Sequence, residues 1–174
     1  MASLFYLLCA FSLLGMVDIV YFHLFRYKLF GRPASRGEQV THLFRLALFL
    51  AILSWVMFVR AEGAFALLLP LLLLADGINS AADVLLEPGS RASLGGLPPG
   101  EYFVHMTAMA CWGAAAVIAV QETLKVLHAP THVAWHRLEV PLPLLAMGGN
   151  VLIGTVILLA IESVGFVNSL GRAR

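Results

Sequence analysis

The sequence predicts an all-α membrane protein: an antiparallel four-helix transmembrane bundle plus a fifth transmembrane helix, in one domain over residues 1–174. Three observations carry that expectation. Of the 174 residues, 60% are hydrophobic and only 12% charged, about half the roughly 25% charge of an ordinary soluble domain. Five stretches each hold the about 20 apolar residues needed to cross the hydrocarbon core of a bilayer. The segments between them are short, which makes consecutive helices antiparallel neighbours. The composition excludes a soluble enzyme, a disordered chain and a nucleic-acid partner, because a net charge of +1 supplies no basic surface. Cys9 and Cys111 lie in separate apolar runs, so neither a disulfide framework nor a thiolate metal site is expected.

In chain order the expected spans are residues 2–25, 38–59, 64–87, 101–127 and 140–166. The first lacks the basic start of a signal peptide, its apolar run is too long, and it carries Asp18 and His23 near its end, so it reads as a retained helix. Gly31-Arg32-Pro33 separates it from the second span. Pro70 stands inside the third, where a kink is expected, and Pro88-Gly89 closes that helix. Gly95-Gly96-Leu97-Pro98-Pro99-Gly100 leads tightly into the fourth span, and Pro141 and Pro143 open the fifth. Gly148, Gly149 and Gly154 suit close helix packing. Arg26, Lys28, Arg32, Arg36, Arg91, Arg172 and Arg174 fall on one side of this layout, and Arg60, Lys125 and Arg137 on the other. The bias places the protein in the inner (plasma) membrane with its N-terminus outside and its C-terminus in the cytoplasm.

Ionisable residues inside spans are costly and normally face the bundle interior with partners. Here they gather at one level. The first helix ends with Asp18, Tyr21 and His23, and the second begins with Glu38, His42 and Arg45. The third ends with Asp76, Asn79, Ser80, Asp83 and Glu87, and the fourth begins with Glu101 and His105. Ends of outgoing helices meet starts of returning ones, so all four sets converge in the cytoplasmic half. Glu38 and His42, like Glu101 and His105, are four apart and share a helical face. At 1.5 Å per residue, His42, Asp83 and His105 lie roughly 6–8 Å inside their helix ends, and Asp18, Arg45 and Asp76 roughly 10–17 Å.

Histidines and carboxylates at one depth, without sulfur ligands, suit iron, zinc or manganese. The pattern assigns His23, His42 and His105 as nitrogen ligands and Glu38, Asp83, Glu87 and Glu101 as oxygen ligands. Asp18 and Asp76 form an outer layer that orients them. Arg45 belongs to that layer and also stands with Tyr21 as a candidate catalytic residue, Tyr21 being suited to donate a proton or hydrogen bond. The function expected first is a di-iron-type oxidoreductase acting on a quinone, a lipid or another hydrophobic substrate. A zinc version would activate water for hydrolysis instead. Two other readings use the same residues: a proton or cation transporter or channel subunit, and a structural subunit of a membrane complex held in register by ion pairs. A homo-oligomer is compatible with each. His128, His132 and His136, spaced by four beside Trp135, would form a second set only if their loop were helical. Glu162, near the end of the fifth span, is a further candidate for the layer.

The layout is similar to the carboxylate di-iron four-helix bundles, with Glu-x-x-x-His where that family uses Glu-x-x-His. The series D-x-x-Y-x-H, E-x-x-x-H-x-x-R, D-x6-D-x3-E-x3-R and L-P-x-G-E-x3-H also resembles a group of small bacterial inner-membrane proteins. It runs through Asp18, Tyr21, His23, Glu38, His42, Arg45, Asp76, Asp83, Glu87, Arg91, Leu97, Pro98, Gly100, Glu101 and His105. The resemblance covers roughly residues 15–113, leaves out the fifth helix, and implies that the polar layer is one unit without implying a reaction.

Overall fold

Each apolar stretch folds as a helix, and together they form an all-α bundle. The computed structural model describes residues 1–29 and 32–171; Gly31 of the expected first turn, and Arg172 and Arg174 of the tail, lie outside the described residues. The helices are α1 (Ala2–Met16), α2 (Arg36–Phe58), α3 (Leu68–Ser90), α4 (Pro99–Val126) and α5 (Leu142–Gly171). With their flanking turns, five helical spans are long and apolar enough to cross a membrane. The Met1 ammonium lies 4.0 Å from Glu122 near the end of α4, as antiparallel neighbours require.

Helix α4 packs most extensively on α1, and α2 lies between α3 and α5. The buried side chains of α4 are mostly small, with Ala108, Ala115 and Ala119 at the contact level, which lets backbones approach closely. Leu4, Phe5, Leu8, Ile52, Leu53 and Leu73 form the centre of the apolar core. The buried face of α3 runs Leu69, Leu73, Asp76, Ser80, Asp83, Glu87, alternating three and four residues. One stripe therefore begins in the apolar core and ends in the polar layer.

Helix α1 does not end at Met16. It continues as a π-helix, Val17–Arg26, whose bonds run from residue i to i+5 and widen the turn. This segment carries the first helix's entire contribution to the polar layer.

Several local expectations are corrected. Pro70 is the third residue of α3, preceded by a 3-10 turn over Gly63–Leu67. It stands in the first turn, where its missing N–H has no partner to lose, and a kink is not required there. Helix α3 runs through Pro88 and Gly89 to Ser90, so the proline's cost falls in the last turn. The chain then reverses with Gly95 at φ +80°, a left-handed conformation that suits glycine. At the opposite end, β1 (Val59–Glu62) and β2 (His132–Trp135) pair antiparallel, with Val59 opposite Trp135 and Glu62 opposite His132. His132 is thus in a strand and the 128–136 segment is not helical, which removes the ground for a ligand set spaced by four. Gly63, at φ +60°, passes so close to Thr131 that an added Cβ would lie 2.7 Å from its Cα. Gly148 is the packing glycine of α5, its absent Cβ facing the Phe5 ring at 2.6 Å. Gly149 and Gly154 face open space instead.

Candidate metal centre

The π-helical turn explains how Asp18 and His23 meet. In an α-helix, residues five apart are rotated by roughly 140° from each other; in the wider turn they share a face. His23 Nε2 lies 3.5 Å from Asp18 Oδ1. Tyr21 falls on the outer side, 54% exposed, with its ring against Phe22, and is not brought into the layer.

Around His23 the other helices close in. Its Nε2 lies 3.1 Å from Glu101 Oε1 and 3.8 Å from Glu38 Oε1, and its ring stacks on that of His42 at 4.7 Å between centroids. His105 Nε2 lies 3.0 Å from Asp18 Oδ2, and its Nδ1 is 2.9 Å from Glu87 Oε1. Two overlapping groups of atoms could each hold a metal ion: Asp18, His23, Glu101 and His105, and His23, Glu38 and His42, each set within 4.8 Å. His23 belongs to both. Asp18, expected to orient ligands, stands among them.

Asp83 and Asp76 are placed differently. Asp83 Oδ1 accepts from Thr41 Oγ1 at 2.5 Å, while its Oδ2 lies 3.3 Å from Arg45 and 3.8 Å from His42 Nε2. Arg45 also donates to Ser80 Oγ at 2.9 Å. Asp76 lies at the apolar end of the stripe, where its backbone carbonyl accepts from Ser80. Asp83, Glu87 and Asp76 belong to neither ligand group.

Two residues matter more than the sequence suggested. Arg91 follows α3 and would ordinarily be a solvated loop cation, yet it is fully buried. It donates through Nη1 to Glu38 Oε2 and to Ser90 Oγ, both at 2.7 Å, and through Nε and Nη2 to Glu101. Its Nη2 is also 3.0 Å from His23 Nε2. Burial opposes its charge, but hydrogen bonds to Glu101 and Glu38 outweigh that and raise its pKa above the ordinary arginine value. The Glu87-x-x-x-Arg91 spacing was the available signal. Glu162 of α5 is 1% exposed, and both its carboxylate oxygens lack a hydrogen-bond partner among the described residues.

The donor set fits a cation. Asp18 Oδ1, Glu38 Oε1 and His42 Nε2 are buried without a hydrogen-bond partner among the described residues, while His105 Nε2 faces Asp18 Oδ2 at 3.0 Å. Each belongs to a residue of the two ligand groups. Buried polar atoms are normally satisfied, and ligand atoms awaiting an ion are an exception with a physical reason. Arg91 sets a limit, because it already occupies Glu101, one oxygen of Glu38 and, at 3.0 Å, the His23 Nε2 shared by both groups. No family model, no curated protein and no solved structure matches this chain.

Proposed function

We propose that this is a metal-dependent integral membrane oxidoreductase of di-iron type, with its site in the cytoplasmic half of the bundle, acting on a hydrophobic substrate. The observation that carries the reading is a charge imbalance. Asp18, Glu38, Asp76, Asp83, Glu87, Glu101 and Glu162 are all buried, and the guanidiniums among them are Arg91 and Arg45. Among the described residues, seven carboxyl groups meet two guanidiniums and the three histidines His23, His42 and His105, a balance that bound cations would complete, since unpaired buried charge is severely penalised.

Bound iron would supply redox chemistry that no side chain here provides; zinc would supply Lewis acidity instead, and manganese suits the same donors. The chain's own residues hold and orient. Asp18, His23, His42, Glu38, Glu101 and His105 would be the ligands. Glu87, 2.9 Å from His105 Nδ1, fixes that ring and would leave Nε2, beside Asp18 Oδ2, to face the ion. Asp83 and Arg45 brace the His42 side. Arg91 holds two carboxylates apart from each other and keeps their charge compensated. Likeness to the small bacterial inner-membrane proteins and the N-outside orientation belong to the same proposal.

A second reading, a proton or cation pathway, is favoured by Glu162 and Asp76, which carry unpartnered oxygens beyond the ligand groups. Elemental analysis of detergent-purified protein decides first. Near-stoichiometric iron or manganese in wild type, lost in His42→Ala and His105→Ala, supports the oxidoreductase. Zinc lost in both moves the chemistry to hydrolysis. Folded wild type that stays empty when offered metal overturns the metal reading, and ion flux becomes the assay.

A further inference from the structure

Beside the polar layer the five helices leave a cavity of about 510 Å³, within the roughly 300–1,000 Å³ of small-molecule sites. Its walls are apolar, formed by side chains such as Phe11, Ile19, Phe49, Met109, Val151 and Leu158. Its floor is the layer itself, through Asp18, His42, Arg45, Asp83, Glu87 and His105.

The floor presents the Arg45 guanidinium. The side chains of Arg45 and His105 are 20% and 19% exposed, whereas those of Asp18, Asp83 and Glu87 are at 7%, 4% and 9%. The carboxylates sit behind, against Thr41, Arg45 and His105. Arg45 Nη1 faces Asp83 and Nη2 donates to Ser80, and each of these nitrogens carries a second N–H for a ligand. A ligand head that accepts hydrogen bonds therefore fits. An anionic head would meet three carboxylates behind one guanidinium, and a cationic head would meet the guanidinium first; a neutral carbonyl head meets neither penalty.

The cavity also reaches the outer face of the bundle. Leu13 and Met16 of α1 and Ile157 and Ile161 of α5 line it, and each is 49–54% exposed. All four lie within membrane-spanning helices, and α1 touches α5 only lightly. The opening faces lipid. Gly15 and Gly154 line the same space, and a Cβ on either would meet nothing within 4 Å.

We propose that this cavity binds the head of a neutral, bilayer-dissolved carbonyl compound of the quinone class, which enters between α1 and α5 and accepts hydrogen bonds from the Arg45 guanidinium. The inference supplies the hydrophobic substrate of the oxidoreductase reading; it rests on that reading for the ligand's fate, and binding itself needs no metal.

The test is titration of the full chain in lipid nanodiscs, metal-free and iron-loaded, with decyl-benzoquinone, followed by calorimetry or quenching of tryptophan fluorescence. Saturable binding is expected in wild type, weakened about tenfold or more in Gly154→Leu and Gly15→Leu, at both of which an added Cβ meets nothing within 4 Å, and about tenfold in Arg45→Gln. Decanoate and decylamine should bind more weakly than the quinone. Absence of saturable binding in both metal states overturns the proposal, as does binding unchanged in both glycine variants, or tighter binding of the acid or the amine. Quinone binding to protein that never takes up metal supports this inference while removing the di-iron reading, so the two failures are distinguishable.

Discussion

Arg91 is the residue on which the layer's internal pairing depends. It contacts carboxylates from α2 and α4 at once, which a lysine's single ammonium cannot do with the same fork. Replacement by methionine leaves Glu38 and Glu101 buried without their cation. Removing one partner of a buried pair typically costs about 3–5 kcal/mol, so Arg91→Met should lower the denaturation midpoint of the detergent-solubilised protein strongly. Arg91→Met combined with Glu101→Gln should recover part of that loss, because one orphaned charge goes with the partner. If the single and double variants unfold alike, the coupling read from the geometry is absent. At this scale the sequence was informative about which residues gather but not about what each faces. Glu38, His42, Glu101 and His105 were legible from their spacing. Arg91 was read as a loop cation because burial of a residue just past a helix end depends on where the next two helices start.

Among the elements, helix count, helix type and polar level were legible, since apolar runs of this length leave the backbone few alternatives in lipid. The π-helical turn Val17–Arg26 was not. Its sequence has no proline or glycine to announce it, and what it achieves, setting Asp18 and His23 on one face, is a tertiary demand from α2 and α4. The same turn puts Tyr21 outside, where a reading of function from proximity in sequence had placed it inside. The strand pair Val59–Glu62 and His132–Trp135 was missed for a similar reason: each segment is four residues long and finds its partner across the fold. Helix α5 gives a direct test of how closely elements approach. Leucine at Gly148 would drive into Phe5 and Met57, and overpacking of this kind costs about 1–3 kcal/mol. Gly149→Leu meets open space and should change stability by no more than about 0.5 kcal/mol. Thermal melts of the two variants side by side check the contrast; equal losses would mean that α5 does not seat on the Phe5 ring.

For the molecule as a whole, one polar layer with an excess of carboxyl groups has to coexist with five helices apolar enough to lie in a membrane. The N-outside orientation expected from the basic residues is open to a direct test. In a variant lacking Cys9 and Cys111, a cysteine at the exposed position Arg137 should react with a membrane-impermeant thiol reagent in intact cells, and one at Ser93 only after permeabilisation; the reverse pattern would invert the topology. The charge excess leads to a thermodynamic expectation. If cations complete the layer, they bind the folded bundle and not the separated helices, so they stabilise by mass action. At a free metal concentration of a hundred times Kd that contribution is about 2.7 kcal/mol. Iron or manganese should therefore raise the melting temperature of wild type, and a chelator should reverse the shift. Asp18→Asn with His105→Ala, which removes two members of one ligand group, should abolish most of it while leaving the Arg91 pairings to Glu38 and Glu101 in place. A shift that survives in this variant would put the cation elsewhere. No shift in wild type would mean that protons and Arg91 already complete the layer, and the buried carboxyl groups would then belong to a proton pathway through Glu162 and Asp76.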